Sequence, residues 1–159
     1  MRRTFADLLL NEMRINKKIH IVSCDLGYKV WDKIIDEFPD RFHNPMAAEM
    51  TGLGMCIGMT YNGIIPIFYS IFNFAIYRNI DLIRNYVNYE KTPVKIVCSG
   101  RDLDYAHDGI SHQSEDGKYF LDGFKNIKQY WPQTKDEITQ EYIKEFINNK
   151  SPSFLSLKR

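Results

Sequence analysis

One carboxylate and a group of aromatic side chains stand close together near the middle of the sequence. Glu49 lies near the start of an apolar stretch with helical character, where a charge is poorly solvated. Phe72, Phe74 and Tyr77 follow the apolar run 64–69, which is typical of a buried strand. A half-buried acid and an aromatic face can together hold a flat heteroaromatic ring, so these residue types predict a ring-binding site.

Each of these residues also has an explanation that involves no ligand. An acid in the first turn of a helix complements the helix dipole. Aromatic side chains that follow a strand commonly fill a hydrophobic core. The sequence pattern alone leaves both explanations open.

The helix that carries the acid has recognisable start signals. Asn44 is a typical capping residue and Pro45 suits a first turn, so we expect the helix to begin there. Gly52, Gly54 and Gly58 suggest a dinucleotide-binding loop, but they follow a helix start rather than a strand. They favour instead a helix that packs closely against a neighbour.

Strand-like and helix-like patterns alternate along the chain. With 159 residues, the chain is long enough for one domain with a hydrophobic core. The alternation predicts an α/β fold with a mostly parallel sheet and helices on both faces. The predicted strands span 19–24, 42–44, 64–69, 94–98, 126–130 and 153–157, and the predicted helices span 2–14, 30–38, 75–89, 114–121 and 135–148, besides the helix of Glu49.

Three segments with polar or aromatic side chains follow predicted strands. They are Asp25, the aromatic segment 72–77 and the Asp-, Gly- and Tyr-rich loop 100–112. In parallel sheets the functional site lies beyond the carboxyl ends of the strands. We therefore expect these segments to converge on one site.

The composition is that of an ordinary globular protein, with 44% hydrophobic residues, 26% charged residues and a net charge of +1. This balance predicts no nucleic acid partner, and no apolar run approaches the length of a membrane-spanning helix. Cys24, Cys56 and Cys98 lie far apart in apolar segments, which favours buried thiols over a disulfide framework or a zinc site. We expect a cytoplasmic location.

Five short motifs carry a resemblance to a known family. They are Asp-Leu-Gly-Tyr at 25–28, Phe-Pro-Asp-Arg-Phe at 38–42, Ala-Glu at 48–49, Tyr-Ser-Ile-Phe-Asn-Phe at 69–74 and Gly-Ile-Ser-His at 109–112. In this order and spacing, the chain resembles the pyrimidine-binding domain of transketolases, particularly the C-terminal subunit of split, two-gene enzymes. The resemblance implies a single pyrimidine-binding domain over 1–159 with the thiamine diphosphate-binding fold.

The resemblance also implies thiamine diphosphate as the cofactor and assigns roles to five residues. Glu49 matches the catalytic glutamate, whose protonated carboxyl group hydrogen-bonds the aminopyrimidine ring, and burial beside aromatic rings favours that protonated form. Phe74 matches the residue that stacks on this ring, Tyr77 matches a second wall, and Phe72 is a further candidate for the wall. Asp25 matches an acid at the domain interface and is a candidate cofactor-binding residue.

The polar loop resembles the substrate-binding segment of the family. Asp108 and His112 match an acid and a histidine that bind the hydroxyl groups of a ketose donor, and His112 is also a candidate catalytic residue. His107 matches a histidine of the split enzymes, and Arg2 matches an arginine that binds the substrate phosphate. A histidine in a polar loop is otherwise commonly structural or merely exposed. Gly100 stands where many transketolases have a further substrate histidine.

The chain lacks the Gly-Asp-Gly…Asn motif by which the family holds Mg²⁺ and the diphosphate. The resemblance therefore implies a separate diphosphate-binding N-terminal subunit that holds Mg²⁺, and no metal site in this chain. It also implies a two-fold dimer of this chain within a heterotetramer, and transfer of a two-carbon ketol unit between sugars. The alternatives are a component of a thiamine-dependent 2-oxo acid decarboxylase or dehydrogenase, and a non-catalytic interaction module.

Overall fold

Six strands form one sheet, and every pair of neighbouring strands in it is parallel. The computed structural model describes residues 1–159. The spatial order is β2-β1-β3-β4-β6-β5, so β1, β3 and β4 lie side by side in the interior of the sheet. The strands are β1 (Ile19–Ser23), β2 (Phe42–His43), β3 (Ile65–Ile71), β4 (Lys95–Ser99), β5 (Lys128–Tyr130) and β6 (Ser153–Leu157).

Helices cover both faces of this sheet, which confirms the predicted α/β architecture. The helices are α1 (Arg2–Ile15), α2 (Asp32–Glu37), α3 (Glu49–Tyr61), α4 (Phe72–Ile76), α5 (Ile80–Leu82), α6 (Gly117–Asp122) and α7 (Gln140–Asn148). Phe5 of α1 and Phe146 of α7 share a core cluster with Tyr69 of β3, whereas Leu53 of α3 belongs to a second cluster with Phe68. Neighbouring side chains of β3 enter different clusters because successive residues of a strand point to opposite faces.

The three cysteines are buried and free, as predicted. Burial raises the pKa of the Cys24 thiol to about 12. A thiol that stays protonated is a poor nucleophile and a poor metal ligand, so Cys24 acts as a core residue. None of the helices combines the length and the apolar character that a membrane crossing requires.

The helical segment after β3 begins at Phe72, earlier than the predicted start at residue 75. It is also irregular, because α4 is followed by a tight 3₁₀ turn at Tyr77–Asn79, by α5 and by a wide π-helical stretch at Ile83–Tyr89. The side-chain amide of Asn79 donates to two carbonyl oxygens of the preceding turn. This local competition with backbone hydrogen bonds accounts for the break.

The C-terminal helical pattern 135–148 divides into two parts, so the prediction of one helix over this range is wrong. Thr134 and Glu137 form a capping box around a short 3₁₀ turn. The Thr139 side chain then caps α7, which begins at Gln140. The two successive caps end the first turn and start a new helix, because each cap satisfies free backbone N–H groups locally.

Helix α3 begins at Glu49, several residues after the predicted start. Asn44 does not cap it, because its Oδ1 accepts hydrogen bonds from the backbone N–H groups of Asp25 and Met46, at 3.1 and 2.8 Å. Asn44 instead connects the approach to α3 with the loop after β1. Glu49 therefore lies in the first turn of α3, beside Ser70 of β3.

Only one of the three predicted packing glycines of α3 faces a close neighbour. A Cβ atom at Gly52 would lie 2.8 Å from Cys24 Sγ and 3.0 Å from the ring of Phe68. A Cβ atom at Gly54 or Gly58 would meet no atom within 4 Å. Close packing is therefore confirmed at Gly52 and wrong within this chain at the other two positions.

Candidate functional site

The carboxyl group of Glu49 is buried at the junction of α3 and β3, with 4% of the residue exposed. Its Oε1 accepts a hydrogen bond from Ser70 Oγ at 3.4 Å. Its Oε2 accepts a hydrogen bond from Nη1 of Arg78 at 2.6 Å. Glu49 thus has one neutral partner from the sheet and one cationic partner from the helical segment after β3.

Phe74 and Arg78 face each other along that helical segment. They are four residues apart, a spacing that places two side chains on the same side of a helix. The guanidinium carbon of Arg78 lies 4.0 Å from the centroid of the Phe74 ring, a close cation–π contact. Arg78 therefore joins the aromatic ring to the buried carboxyl group of Glu49.

A cavity of about 630 Å³ opens next to Phe74. We call it the ring pocket, and it is lined by Asn73, Phe74, Tyr77, Arg78, Ile110, Ser111, Gln113, Glu115 and Asp116. The Tyr77 hydroxyl donates to Asp116 at 2.5 Å, and burial together with this bond raises the pKa of Tyr77. Asn73 donates to the carbonyl oxygen of Gln113 at 2.5 Å. These two bonds hold the loop before α6 against α4 and so shape the pocket.

Phe72 does not line the ring pocket, which corrects the prediction that it forms part of the wall. It is fully buried and packs against Phe154 and Trp131, with ring centroids 5.5 and 6.2 Å away. Gly117 leaves the space that the ring fills, because a Cβ atom there would lie 2.2 Å from it. Phe72 also contacts Tyr77 edge-on at 6.4 Å, so it supports the pocket from behind.

A second cavity, of about 550 Å³, lies at the same edge of the sheet. We call it the arginine pocket, and it is lined by Arg2, Asp25, Leu26, Gly27, Tyr28, Trp31, Asp32, Ile35, Phe42, Asn44, Tyr105 and Arg159. Asp25 and Arg2 are thus brought together here, whereas Glu49 lines neither cavity. The predicted convergence at one edge is confirmed, and the residues divide there between two cavities. That these residues form a single functional site stays a prediction.

Arg159 is a candidate functional residue that the sequence reasoning missed. It lies two residues after the end of β6, so it reaches the same edge as the segments that follow β1, β3 and β4. Its guanidinium lies 5.0 Å from the ring centroid of Tyr105, and its Nη1 lies 3.2 Å from Nε2 of His107. With Arg2, whose Nη1 donates to the Tyr105 hydroxyl at 3.4 Å, it gives the arginine pocket two cations.

The ring of His112 contacts one lining residue of each cavity, although His112 itself lines neither. Its ring is 4.8 Å from that of Phe74 and 6.3 Å from that of Tyr105, edge-on to both. Its Nδ1 is 2.9 Å from the hydroxyl of Ser111, and the side chain is half-buried. His112 is therefore placed to contact a molecule that extends from one cavity to the other.

His107 and Asp108 are more exposed than His112. The Nε2 atom of His107 lies 3.3 Å from a carboxylate oxygen of Asp108, and the side chains are 60% and 43% exposed. Gly109, with φ of 83°, separates the 3₁₀ turn of these residues from the turn of His112. Asp108 lines neither cavity, so its predicted contact with substrate stays a prediction.

Gly100 leaves room for Tyr105. The glycine has φ of 71°, and a Cβ atom there would lie 2.0 Å from the Tyr105 ring. The Tyr105 hydroxyl lies 3.0 Å from Ser99 Oγ at the end of β4. A tyrosine ring therefore fills the space beside Gly100.

No group of three or more His, Cys, Asp or Glu side chains is arranged to hold a metal ion.

The fold and the site together define an α/β domain whose sheet edge carries a buried carboxyl group beside a stacking aromatic ring. The family described as transketolase, pyrimidine binding domain, matches residues 1–159. The chain belongs to this family.

Two curated relatives that match this chain are also described as parts of transketolases. A putative transketolase C-terminal section from Methanocaldococcus jannaschii is 29% identical over 160 residues, which cover 100% of this chain and 50% of that protein. One of the subunits of apulose-4-phosphate transketolase from Actinobacillus succinogenes is 29% identical over 123 residues, which cover 77% of this chain and 39% of that protein. The chain thus spans half the length, or less, of these relatives.

Solved structures agree with the family assignment. A split gene transketolase, solved as an inactive beta4 tetramer, superposes with a TM-score of 0.84 at 26% identity, over 99% of this chain and 51% of that chain. The transketolase from Leishmania mexicana superposes with a TM-score of 0.86 at 18% identity, over 99% of this chain and 25% of that chain. The second comparison supports the fold.

Proposed function

We propose that residues 1–159 form the pyrimidine-binding unit of a thiamine diphosphate-dependent enzyme that transfers a two-carbon ketol unit between sugars. Family membership supports the pyrimidine-binding role. The names of two relatives, a transketolase C-terminal section and a transketolase subunit, support a division of the enzyme between chains. The diphosphate and Mg²⁺ then belong to a separate N-terminal subunit, and this chain forms a two-fold dimer within a heterotetramer.

The observation that carries this proposal is the arrangement of Arg78 on Phe74 and Glu49. A guanidinium group is flat and has N–H donors at its edge, and here it stacks on the ring and donates to the carboxyl group. An aminopyrimidine ring is likewise flat, with nitrogen atoms at its edge. The two residues that hold this ring in the proposal therefore fit its shape, because they already hold a flat, nitrogen-bearing group. The hydrogen bond runs the other way, since the guanidinium donates to Glu49 whereas a pyrimidine nitrogen accepts from it.

The residues of this chain would act by orienting the ring and supplying a proton at one atom. When bound, thiamine diphosphate supplies the carbon that attacks the donor ketone and carries the two-carbon unit. Glu49, which is buried, donates a hydrogen bond from its carboxyl O–H to a ring nitrogen. Phe74 stacks on the ring, and Tyr77 closes the pocket with its hydroxyl held by Asp116.

The substrate would lie between the ring pocket and the arginine pocket. The ring of His112 packs on Phe74 of the ring pocket and faces Tyr105 of the arginine pocket. His112 is positioned to bind a donor hydroxyl, with Asp108 and His107 on the preceding turn. Arg2 and Arg159 supply two positive charges, which suit the phosphate of a sugar phosphate. Asp25 lines the arginine pocket, and we assign it to the interface with the partner subunit.

Calorimetry with the cofactor tests whether this chain binds the pyrimidine while a partner subunit binds the diphosphate. The isolated chain should bind thiamine diphosphate with a Kd above about 1 μM, weaker than about −8 kcal/mol, because the diphosphate lacks its binding domain. A partner chain with the Gly-Asp-Gly domain, together with Mg²⁺, should tighten binding. Sub-micromolar binding by this chain alone would contradict the half-site, and unchanged binding with the partner would contradict the partnership.

A further inference from the structure

Arg78 makes the two contacts through which the ring pocket would hold a pyrimidine. Its Nη1 is 2.6 Å from Oε2 of Glu49, and its guanidinium lies 4.0 Å from the centroid of Phe74. We propose that Arg78 is a displaceable plug, which fills the pyrimidine position in the free chain and leaves it when the cofactor binds. This inference rests on the proposed function.

The remaining parts of the two contact groups are already occupied. The other carboxylate oxygen of Glu49 accepts from Ser70, which belongs to the sheet. The ring of His112 lies edge-on against Phe74 at 4.8 Å. A pyrimidine that needs both the carboxyl group and the phenyl face therefore has to take the place of Arg78.

The hydrogen-bonding role of Arg78 gives a second reason why it must leave. A guanidinium only donates hydrogen bonds, so the Glu49 oxygen beside Arg78 acts as an acceptor. A pyrimidine nitrogen is itself an acceptor and needs a donor from Glu49. The arginine-bound and pyrimidine-bound forms of the site thus differ in both the position of Arg78 and the direction of the hydrogen bond at Glu49.

The surroundings of Arg78 allow it to move. Its side chain is 50% exposed, whereas Glu49 is almost fully buried, so the arginine is the mobile partner of this pair. It belongs to the irregular turn Tyr77–Asn79 and lines the ring pocket together with two carboxylates, Glu115 and Asp116. These acids offer the displaced guanidinium an alternative partner, so both positions are electrostatically satisfied.

An internal group that occupies a binding site competes with the ligand. The apparent dissociation constant of the ligand then equals its intrinsic value divided by the fraction of molecules whose site is open.

The test is a titration of the full chain with 4-amino-2-methylpyrimidine, followed by NMR. In the free chain the Arg78 side-chain N–H signal should carry a ring-current shift from Phe74, and the fragment should remove it. If the plug is in place in nine chains of ten, Arg78→Met should bind the fragment about tenfold more tightly than the parent.

Matched variants separate the possible outcomes. Arg84→Met removes an exposed arginine of the same helical segment and should bind the fragment like the parent. Equal or weaker binding by Arg78→Met overturns the plug and leaves the proposed function standing. Binding that is not weakened when Phe74→Ala is added to Arg78→Met places the fragment elsewhere, which also overturns the plug. Failure of every protein to bind at millimolar concentration overturns the pyrimidine site together with the plug.

Discussion

The loop between β4 and α6 places three titratable side chains within two short turns. His112 packs against Phe74, whereas His107 and Asp108 contact each other and stay largely exposed. Because only His107 contacts the Asp108 carboxylate in this chain, loss of that carboxylate should leave the loop in place. A single substitution of Asp108 can therefore test whether its carboxylate binds substrate.

Asp108→Ala should lower kcat/KM for a hydroxylated ketose donor at least about tenfold more than for pyruvate, because a site that pairs a hydroxyl group rejects analogues without it. The measurement compares both donors in parent and variant complexes with the partner subunit. Asp36→Ala, which removes an exposed acid of α2, serves as the control and should change neither value. Equal losses on the two donors would indicate that Asp108 supports the loop, and would favour a 2-oxo acid enzyme.

At the scale of single residues, the sequence predicts chemical types better than contacts. The burial of Glu49 and the position of Phe74 beside a cavity were both predictable, since each follows from its place next to an apolar run. The contact of Arg78 with both was not, because an arginine in a polar turn is normally a solvated surface residue. Phe72 was assigned to the wrong side, because its orientation depends on the exact start of α4.

At the scale of elements, helix α3 has two faces with different requirements. Gly52→Ala should destabilise the fold by about 1–3 kcal/mol, because the added methyl group meets close-packed atoms. Gly58→Ala is a matched control on the exposed face of the same helix, and it should stabilise by up to about 1 kcal/mol because alanine is the better helix former. Urea denaturation of both variants measures the difference. Equal effects at the two positions would contradict the assignment of the packed face.

The order and type of the strands follow from the sequence, whereas their ends do not. Mostly apolar runs identify strands such as β3 and β4, because strands buried on both faces carry few polar side chains. The boundaries depend on side-chain hydrogen bonds. Those of Asn79 and Thr139 are local, whereas Asn44 bonds to Asp25, a partner that only the tertiary structure fixes. This is why α3 and α7 begin later than predicted and why the helical segment after β3 is broken.

At the scale of the whole molecule, the fold brings the predicted segments to one edge but divides them between two cavities. Asp25 follows β1 and the aromatic segment follows β3, and these strands are neighbours in the sheet. Functional sites of parallel sheets lie at the carboxyl ends of the strands, and this rule locates the edge. The rule does not predict which cavity at that edge each loop lines. His112, whose ring contacts one lining residue of each cavity, connects them into one substrate path in our proposal.

Proton exchange at the thiazolium carbon of thiamine diphosphate tests the role of Glu49 most directly. In the complex with the partner subunit, Glu49→Gln should slow this exchange by at least about 100-fold, the usual contribution of a positioned acid or base. Glu12→Gln is the matched control, since Glu12 is also buried but lies on α1 and bonds to Gln140. Calorimetry confirms that each variant holds the cofactor. Slow exchange in Glu49→Gln alone is the predicted result, and exchange as fast as in the parent complex would contradict the assignment of this chain as the pyrimidine-activating half of the enzyme.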